Sequence, residues 1–438
     1  MTLKENWDSE KSLQVFQLLR FGMLVLIGIL LTHSKLSVSE IGQYESFLFW
    51  AGMASFFWLN GLIQGALPMA GSEEKEAVGR QKSPFLFTVF FVLLVFSTFT
   101  ALMFTVLYQA GLLSFLRGHA LYWFLLFVVF GIPANLTVYI YLLDNRPGGM
   151  LRYGFGIFGL QLMLILIALV SGEGIEIILK ILALVALLQF SWLVRLVLRY
   201  SSVIFSRELA RKLLIRSWPL ILATLLSGSA QYIDGWLVTL RFGSATFAIF
   251  RFGARELPLV VLIANAFSNA MLPKLGKPAG LSLHLDEIKV RSAKMMNWMF
   301  PLSALLMILS PWIFPLIFNP AFAESASIFN IYLLLIIPRL VFPQTILNGI
   351  GKTTIISRAA VYEILINVGL SILLSFPFGL EGVALATVIA YLFEKCYLAY
   401  WLYRLEGITV TAYNDWKRHL LFSAGILTLF LMIEIVIN

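Results

Sequence analysis

The sequence has almost none of the residues that a soluble enzyme works with. Of its 438 residues one is cysteine, four are histidine, and only 13% carry charge. The lone Cys396 excludes an intrachain disulfide and a cysteine-built metal site. His33, His119, His284 and His419 read as loop residues without ligand spacing, so no metal is expected. A soluble domain devotes about a quarter of its residues to charge, roughly twice what this chain does. The remainder is apolar: 60% of residues are hydrophobic and mean hydropathy is +0.89. That composition is a membrane protein's.

A transmembrane helix needs about 20 mostly apolar residues. Thirteen such runs are legible, at 12–32, 44–68, 84–110, 120–143, 153–171, 176–198, 213–237, 245–273, 295–318, 325–350, 355–377, 380–403 and 419–437. Barrel strands would alternate apolar and polar side chains, and stretches such as Phe85 to Phe96 do not. The expected fold is an all-α polytopic bundle. The first run follows a polar segment and ends in Leu31-Thr32-His33-Ser34 without a small-residue cleavage pattern, so it is expected to be retained as a span.

The formal charge of +9 has a direction. With the N-terminus in the cytoplasm, 23 of the 32 cations fall in inside loops and four, Lys35, Arg117, Lys180 and Arg241, fall outside. This is the positive-inside asymmetry of an inner-membrane protein, and it explains the basic balance without nucleic acid. The other five cations, Arg20, Arg251, Arg255, Arg339 and Lys395, lie within spans.

The longest basic connection, Arg199 to Arg216, separates six spans from the rest. The expected division is an N-terminal lobe at 1–200, a C-terminal lobe at 201–404 and an additional helix at 405–438. A repeat supports two lobes. One offset of 205 residues matches Asn60 with Asn265, Gln64 with Asn269, Leu67-Pro68 with Leu272-Pro273, and Gly71 with Gly276. Six spans intervene, an even number, so the repeats run in the same direction, as in transporters built from parallel repeats.

Ionisable side chains inside a bilayer are costly and mark a cavity, a partner or a substrate path. Arginine stays charged everywhere, and its planar donors fit phosphate oxygens. The eighth helix carries Arg251, Arg255, Asn265 and Asn269, which at about 100° per residue fall on one polar face. Ser227, Gln231 and Asp234 would share a face of the seventh. Gln17 and Arg20 in the first span, Asn60 and Gln64 in the second and Arg339 in the tenth complete a possible hydrated, cationic cavity. Structural alternatives exist for each: Arg20 and Arg251 as interfacial snorkels, Arg255 as a partner of Asp234 or Glu256, and Glu363 with Asn367 or Glu394 with Lys395 as interhelical glue or gating pairs.

Other motifs fail. Gly349-Ile-Gly351-Lys352-Thr353-Thr354 resembles the tail of a P-loop, but Ile346 stands where the first glycine is required and a membrane helix precedes it. Asn135-Leu-Thr137 matches a glycosylation pattern in letters only, because it falls within the fourth span. No nucleophile elbow or HExxH array is present, which leaves transport as the default.

The stretches Tyr232-Ile-Asp234-Gly-Trp, Phe247-Ala-Ile-Phe250 and Ala270-Met-Leu-Pro273 resemble the seventh and eighth helices of polysaccharide and O-antigen flippases of the MOP (multidrug/oligosaccharidyl-lipid/polysaccharide) exporter superfamily. Phe318-Asn-Pro-Ala-Phe322, Asn348-Gly-Ile-Gly-Lys352-Thr353, Asn367 and Gly379-Leu-Glu-Gly382-Val-Ala-Leu-Ala386-Thr387 are similar to the same family. The likeness is fullest over about 210–405 and weaker over 12–200. It implies two six-helix lobes around a central cavity, alternating access, and a polyprenyl-diphosphate-linked saccharide as cargo. Arg20, Arg251, Arg255 and Arg339 would then meet the diphosphate, as in the superfamily's lipid II flippases, while Asn60, Gln64, Asn265 and Asn269 meet sugar hydroxyls. Asp234, Glu256 and Glu363 are the candidates for coupling or gating, with the membrane potential, H+ or Na+ as driving force and no cofactor. A monomer would suffice, with the lipid bilayer and polysaccharide-assembly enzymes as the remaining partners. The chain has one span more than the usual twelve and one fewer than the fourteen of the lipid II type.

Two other functions compete. Cation-coupled drug exporters of the superfamily often carry a buried acid in the first helix, where this chain has Arg20. A membrane glycosyltransferase or polymerase would need large external loops with carboxylates, and the external loops here are short.

Overall fold

A computed structural model describes residues 9–76, 83–111, 119–254, 258–275 and 281–437, apart from some side chains inside these ranges. Among them all regular structure is helical. We number the helices α1 (Ser9–Thr32), α2 (Val38–Glu76), α3 (Phe85–Gln109), α4 (Ala120–Leu143), α5 (Pro147–Val170), α6 (Ile175–Tyr200), α7 (Arg207–Gly228), α8 (Ala230–Gly253), α9 (Pro258–Leu275) and α10 (Leu281–Phe318). Then come α11, a pair of helices (Ser325–Arg339 and Pro343–Gly349) bent by 47°, α12 (Thr353–Glu406) and α13 (Trp416–Ile437). Nine described helices are long and apolar enough to cross a membrane, and α11 makes ten if its halves form one span. Large apolar side chains such as Phe99, Leu316 and Leu421 are more than three-fifths exposed, as befits a lipid-facing surface.

Glycines interrupt two of these helices. At 1.5 Å per residue the 54 residues of α12 would reach about 80 Å, far beyond a hydrocarbon core of about 30 Å. Gly379, at φ 54° and ψ −127°, breaks it near the middle. The halves then lie against each other: a Cβ on Gly382 would stand 2.1 Å from the Leu374 carbonyl oxygen, and Asn367 donates to Thr387 at 3.1 Å. Gly243, at φ 81° and ψ 178°, interrupts α8 between the expected runs 213–237 and 245–273. L residues rarely adopt a positive φ, which is why glycine stands at both breaks.

The 205-residue offset holds for helix bounds as well as letters. Shifted by 205, α4 falls on 325–348, where α11 runs 325–349; α5 falls on 352–375 and α6 on 380–405, the two halves of α12. The start of α2 falls on Gly243, the break in α8, and the equivalent serines Ser39 and Ser244 face each other with oxygens 3.3 Å apart.

The chain forms two compact units, residues 1–228 with 243–245, and residues 229–242 with 246–438. In the first, α7 closes on α2 because two glycines four residues apart present bare backbone. A Cβ on Gly61 would stand 2.7 Å from Ile221 Cα, and one on Gly65 would stand 3.1 Å from Ser217 Cα. Such small-residue faces let membrane helices approach where lipid offers no hydrophobic drive to association. Phe47, edge-on to Phe124 at 5.2 Å, and Trp50 against Phe104 fill the core between α2, α3 and α4. In the second unit Met271, Met295, Met296, Met299 and Met307 of α9 and α10 form a core with Leu333, Leu340 and Leu347 of the α11 region.

Candidate functional site

The break in α11 follows from its prolines. Pro343 brings no amide hydrogen, so the helix cannot run through it, and residues Leu340 to Phe342 leave helical geometry. Arg339 is the last residue of the first half and lines a small, partly open recess in the second unit. The walls are α9 (Asn265, Ser268), the far side of the break (Phe342, Gln344, Thr345) and the second half of α12 (Tyr391, Lys395). The Arg339 guanidinium lies 5.3 Å from the Tyr391 ring centre and the Lys395 ammonium 4.5 Å from it, so two cations share one aromatic ring. Each such contact contributes about 2 kcal/mol when water is excluded. Lys395 also donates to Gln344 Oε1 at 3.0 Å and pairs with Glu394 at 2.8 Å, both members of that pair being buried. Thr345 donates to Ser268 at 2.9 Å on the opposite wall. The recess thus offers cations, an amide, a phenol and hydroxyls, a donor set suited to phosphate and sugar oxygens.

A second polar assembly in this unit is built around Asp234, which is 5% exposed. Its Oδ2 accepts from the Tyr332 hydroxyl at 2.5 Å and from the Thr387 hydroxyl. Thr387 in turn accepts from Asn367, whose Oδ1 accepts from Ser371 at 2.9 Å. The run joins α8, α11 and both halves of α12 to one carboxylate. Two hydroxyl donors on one oxygen suit an ionised acid, and the surrounding oxygens suit a small hard cation or a proton. Glu363 is half-buried and within electrostatic reach of Asp234, Glu394, Lys395 and Arg339. Among the described residues no three of His, Cys, Asp and Glu are grouped for a metal ion.

In the first unit α4 is also broken. It loosens into a π-turn at Phe127–Gly131 and interrupts again at Asn135. Ser97 of α3 donates to the Val128 carbonyl at 2.5 Å, and Asn135 Nδ2 donates back to Ile132 O at 2.9 Å and Gly131 O at 3.3 Å. The remaining face of that amide, Oδ1, receives Arg20 Nη1 at 3.2 Å. Arg20 is exposed, as are Gln17 beside it and Asn60 and Gln64 one turn apart on α2.

The expected residues therefore divide. Arg339 and Asn265 line one recess, Asp234 and Glu363 belong to one electrostatic cluster beside it, and Arg20 is tied to Asn135. Arg251 is half-buried at the end of α8. The single polar face drawn from Arg251 to Asn269 needs an unbroken helix, but α8 ends at Gly253 and α9 begins at Pro258. The angles calculated for a continuous helix do not carry across that gap. Arg255 and Glu256 lie outside the described residues, as do the side chains of Asn269, Ser227 and Gln231. His419, expected in a loop, is buried in α13.

The sequence does not single out Tyr391, Gln344, Tyr332 or Thr387 as site residues, and it offers Lys395 only with Glu394, as interhelical glue or a gating pair. A signal is present: Tyr391 and Lys395 are four residues apart and share a helix face. Asn135, whose glycosylation pattern is a match in letters only, terminates a helix segment and holds an arginine.

Neither a family model nor a curated protein sequence matches the chain. Solved structures do. The lipid II flippase MurJ in an inward closed conformation aligns with a TM-score of 0.68 over 96% of this chain and 92% of its own, at 16% identity. An inward-facing multidrug resistance MATE family transporter of the MOP superfamily aligns at 0.63 over 89% and 94%, with 15% identity. A variant of the Vibrio cholerae MATE transporter VcmN aligns at 0.55 over 92% and 98%, with 16% identity. At such identities the likeness shows the fold alone, and that fold is shared with these MurJ and MATE transporter structures.

Proposed function

We propose that the protein is a flippase that carries a polyprenyl-diphosphate-linked oligosaccharide, such as a polysaccharide repeat unit, from the inner to the outer leaflet of the cytoplasmic membrane. The observation that carries this reading is the recess at the α11 break. A diphosphate cannot enter hydrocarbon unaided, and Arg339 and Lys395 stand over one ring in a wall that also offers Asn265 and Gln344 to sugar hydroxyls. The N-terminus and the basic loops face the cytoplasm in this reading, and the protein moves its cargo without changing it. Lipid II itself is one cargo of this chemical class. Energy enters through the membrane potential, H+ or Na+, with Asp234 as the coupling acid and Glu363 as its neighbour.

The test is the sidedness of a labelled polyprenyl-diphosphate saccharide in proteoliposomes, with wild type and Arg339→Ala compared. Label crossing with wild type and staying put with the variant supports the reading. The Asp234 cluster favours one second reading, a cation-coupled exporter of small molecules. Proton- or sodium-linked movement of a small cation, with no lipid movement, would establish that instead.

A further inference from the structure

The carbonyls on either side of Arg339 have lost their helical donors. In a continuous helix the carbonyl of Ile337 accepts from amide 341 and that of Leu340 from amide 344. Here the Val341 amide bonds to Pro338 O at 3.3 Å, and Leu340 lies in the non-helical stretch before Pro343. Both carbonyls are satisfied from outside the six-helix repeat. His419 Nε2 donates to Ile337 O at 2.9 Å, and Asn414 Nδ2 donates to Leu340 O at 3.1 Å. A carbonyl only accepts, so His419 carries its hydrogen on Nε2, leaving Nδ1 toward Ser423 Oγ at 3.5 Å. Asn414 is 1% exposed and His419 4%. The imidazole is held on two sides, flat against Trp416 with ring centres 5.6 Å apart and edge-on to Phe300 at 6.1 Å. Phe422 stacks on Phe300 at 5.3 Å, which seats α13 on α10.

From this geometry we infer that α13 and the residue pair Asn414 and His419 are a brace: they hold the α11 break in the shape that aims Arg339 into the recess. A freed carbonyl in hydrocarbon costs several kcal/mol unless it finds a donor, so the break keeps its shape only while these two side chains meet it. Asn414 and His419 are positioning residues. Neither borders the recess, and they act on substrate through Arg339. The inference rests on the reading of the recess as the substrate site.

The test uses the full chain in nanodiscs, with amide hydrogen exchange across 334–349 and titration with inorganic pyrophosphate. His419→Phe and Asn414→Ala should speed exchange over 334–349 at least tenfold and leave 120–143 as in wild type. His419→Gln, whose amide nitrogen sits near the place of Nε2, should keep the wild-type rate. Pyrophosphate affinity should fall about tenfold in His419→Phe, with no further loss when that change is added to Arg339→Ala. Unchanged exchange in both variants overturns the brace, and so does faster exchange with undiminished pyrophosphate affinity. If wild type does not bind pyrophosphate at all, the recess reading fails, and the exchange rates alone then decide whether the brace stands.

Discussion

The two broken helices α4 and α11 occupy equivalent places in the 205-residue repeat and solve one problem by different means. Each frees backbone carbonyls inside an apolar run, and each lies beside an arginine. In α4 the donors come from within its own six-helix set: Ser97 from α3 and Asn135 from the break itself, with Arg20 arriving from α1. In α11 the donors are Asn414 and His419, from the segment appended after the repeat, and the arginine is part of the break. Shifted by 205, Asn135 falls on Leu340. Once that position is leucine the amide that capped the break is gone, and the cap comes from elsewhere in the chain, Asn414 before α13. The side chain that α4 spends on its own backbone is replaced in α11, one residue earlier, by a cation turned toward the recess.

Substitution can separate the two breaks. The largest effect should come from Arg339→Ala, which on our reading lowers translocation about a hundredfold, the scale of losing one desolvated charged contact. Arg20→Ala should cost far less. Arg339→Lys keeps the charge without the planar fork and should retain part of the activity. Proteoliposome sidedness measures all three, and equal losses at Arg20 and Arg339 would erase the distinction drawn here.

Next in size is Asp234→Ala, which strips the acceptor from Tyr332 and Thr387. Each buried hydroxyl left unmet costs about 1–3 kcal/mol, so the melting temperature in detergent should fall clearly. Asp234→Asn keeps an acceptor oxygen and should melt near wild type, while transport ceases to respond to an imposed H+ or Na+ gradient. A gradient response intact in Asp234→Asn would remove the acid from coupling.

Asn135→Ala probes the first unit alone. Two carbonyls and one guanidinium lose a partner, a cost of about 1–3 kcal/mol, and exchange should quicken over 127–143 but not over 334–349. The smallest effect should be Lys212→Ala on the exposed start of α7. The hydrogen bond from Lys212 holds the Glu208 carboxyl below its usual range. In the variant Glu208 should return to ordinary titration, visible by NMR, with the melting temperature unchanged.

The repeat is readable because it is written twice in similar letters, and Asn60, Gln64, Asn265 and their neighbours suffice to find an offset that the helix bounds then obey. Arg339 is readable because an arginine that follows a proline in the middle of an apolar run is too far from either interface to snorkel easily. Its setting is not. Tyr391 and Lys395 are 52 and 56 residues further along the chain, and Gln344 differs from many exposed glutamines only in what it faces. The polar face drawn along the eighth helix fails because it assumes an unbroken helix, and a wheel loses its meaning at the first non-helical residue. Asn135 and His419 are hard to read for a related reason. A polar residue inside an apolar run signals that a backbone group nearby needs it, but the run does not say which.

Hydropathy acts over a few residues and through the bilayer, and it suffices to mark the apolar runs and the boundaries between them, two of which fall close to the breaks at Gly243 and Gly379. A bilayer removes water from every backbone group, so long apolar runs have little choice but to become helices. Which polar groups meet is settled by contacts between residues far apart in the chain: Asp234 with Thr387, Arg20 with Asn135, His419 with Ile337. These depend on where each helix bends and how closely two backbones can approach. They emerge only when the whole chain has packed, because a freed carbonyl accepts any donor that packing brings within about 3 Å.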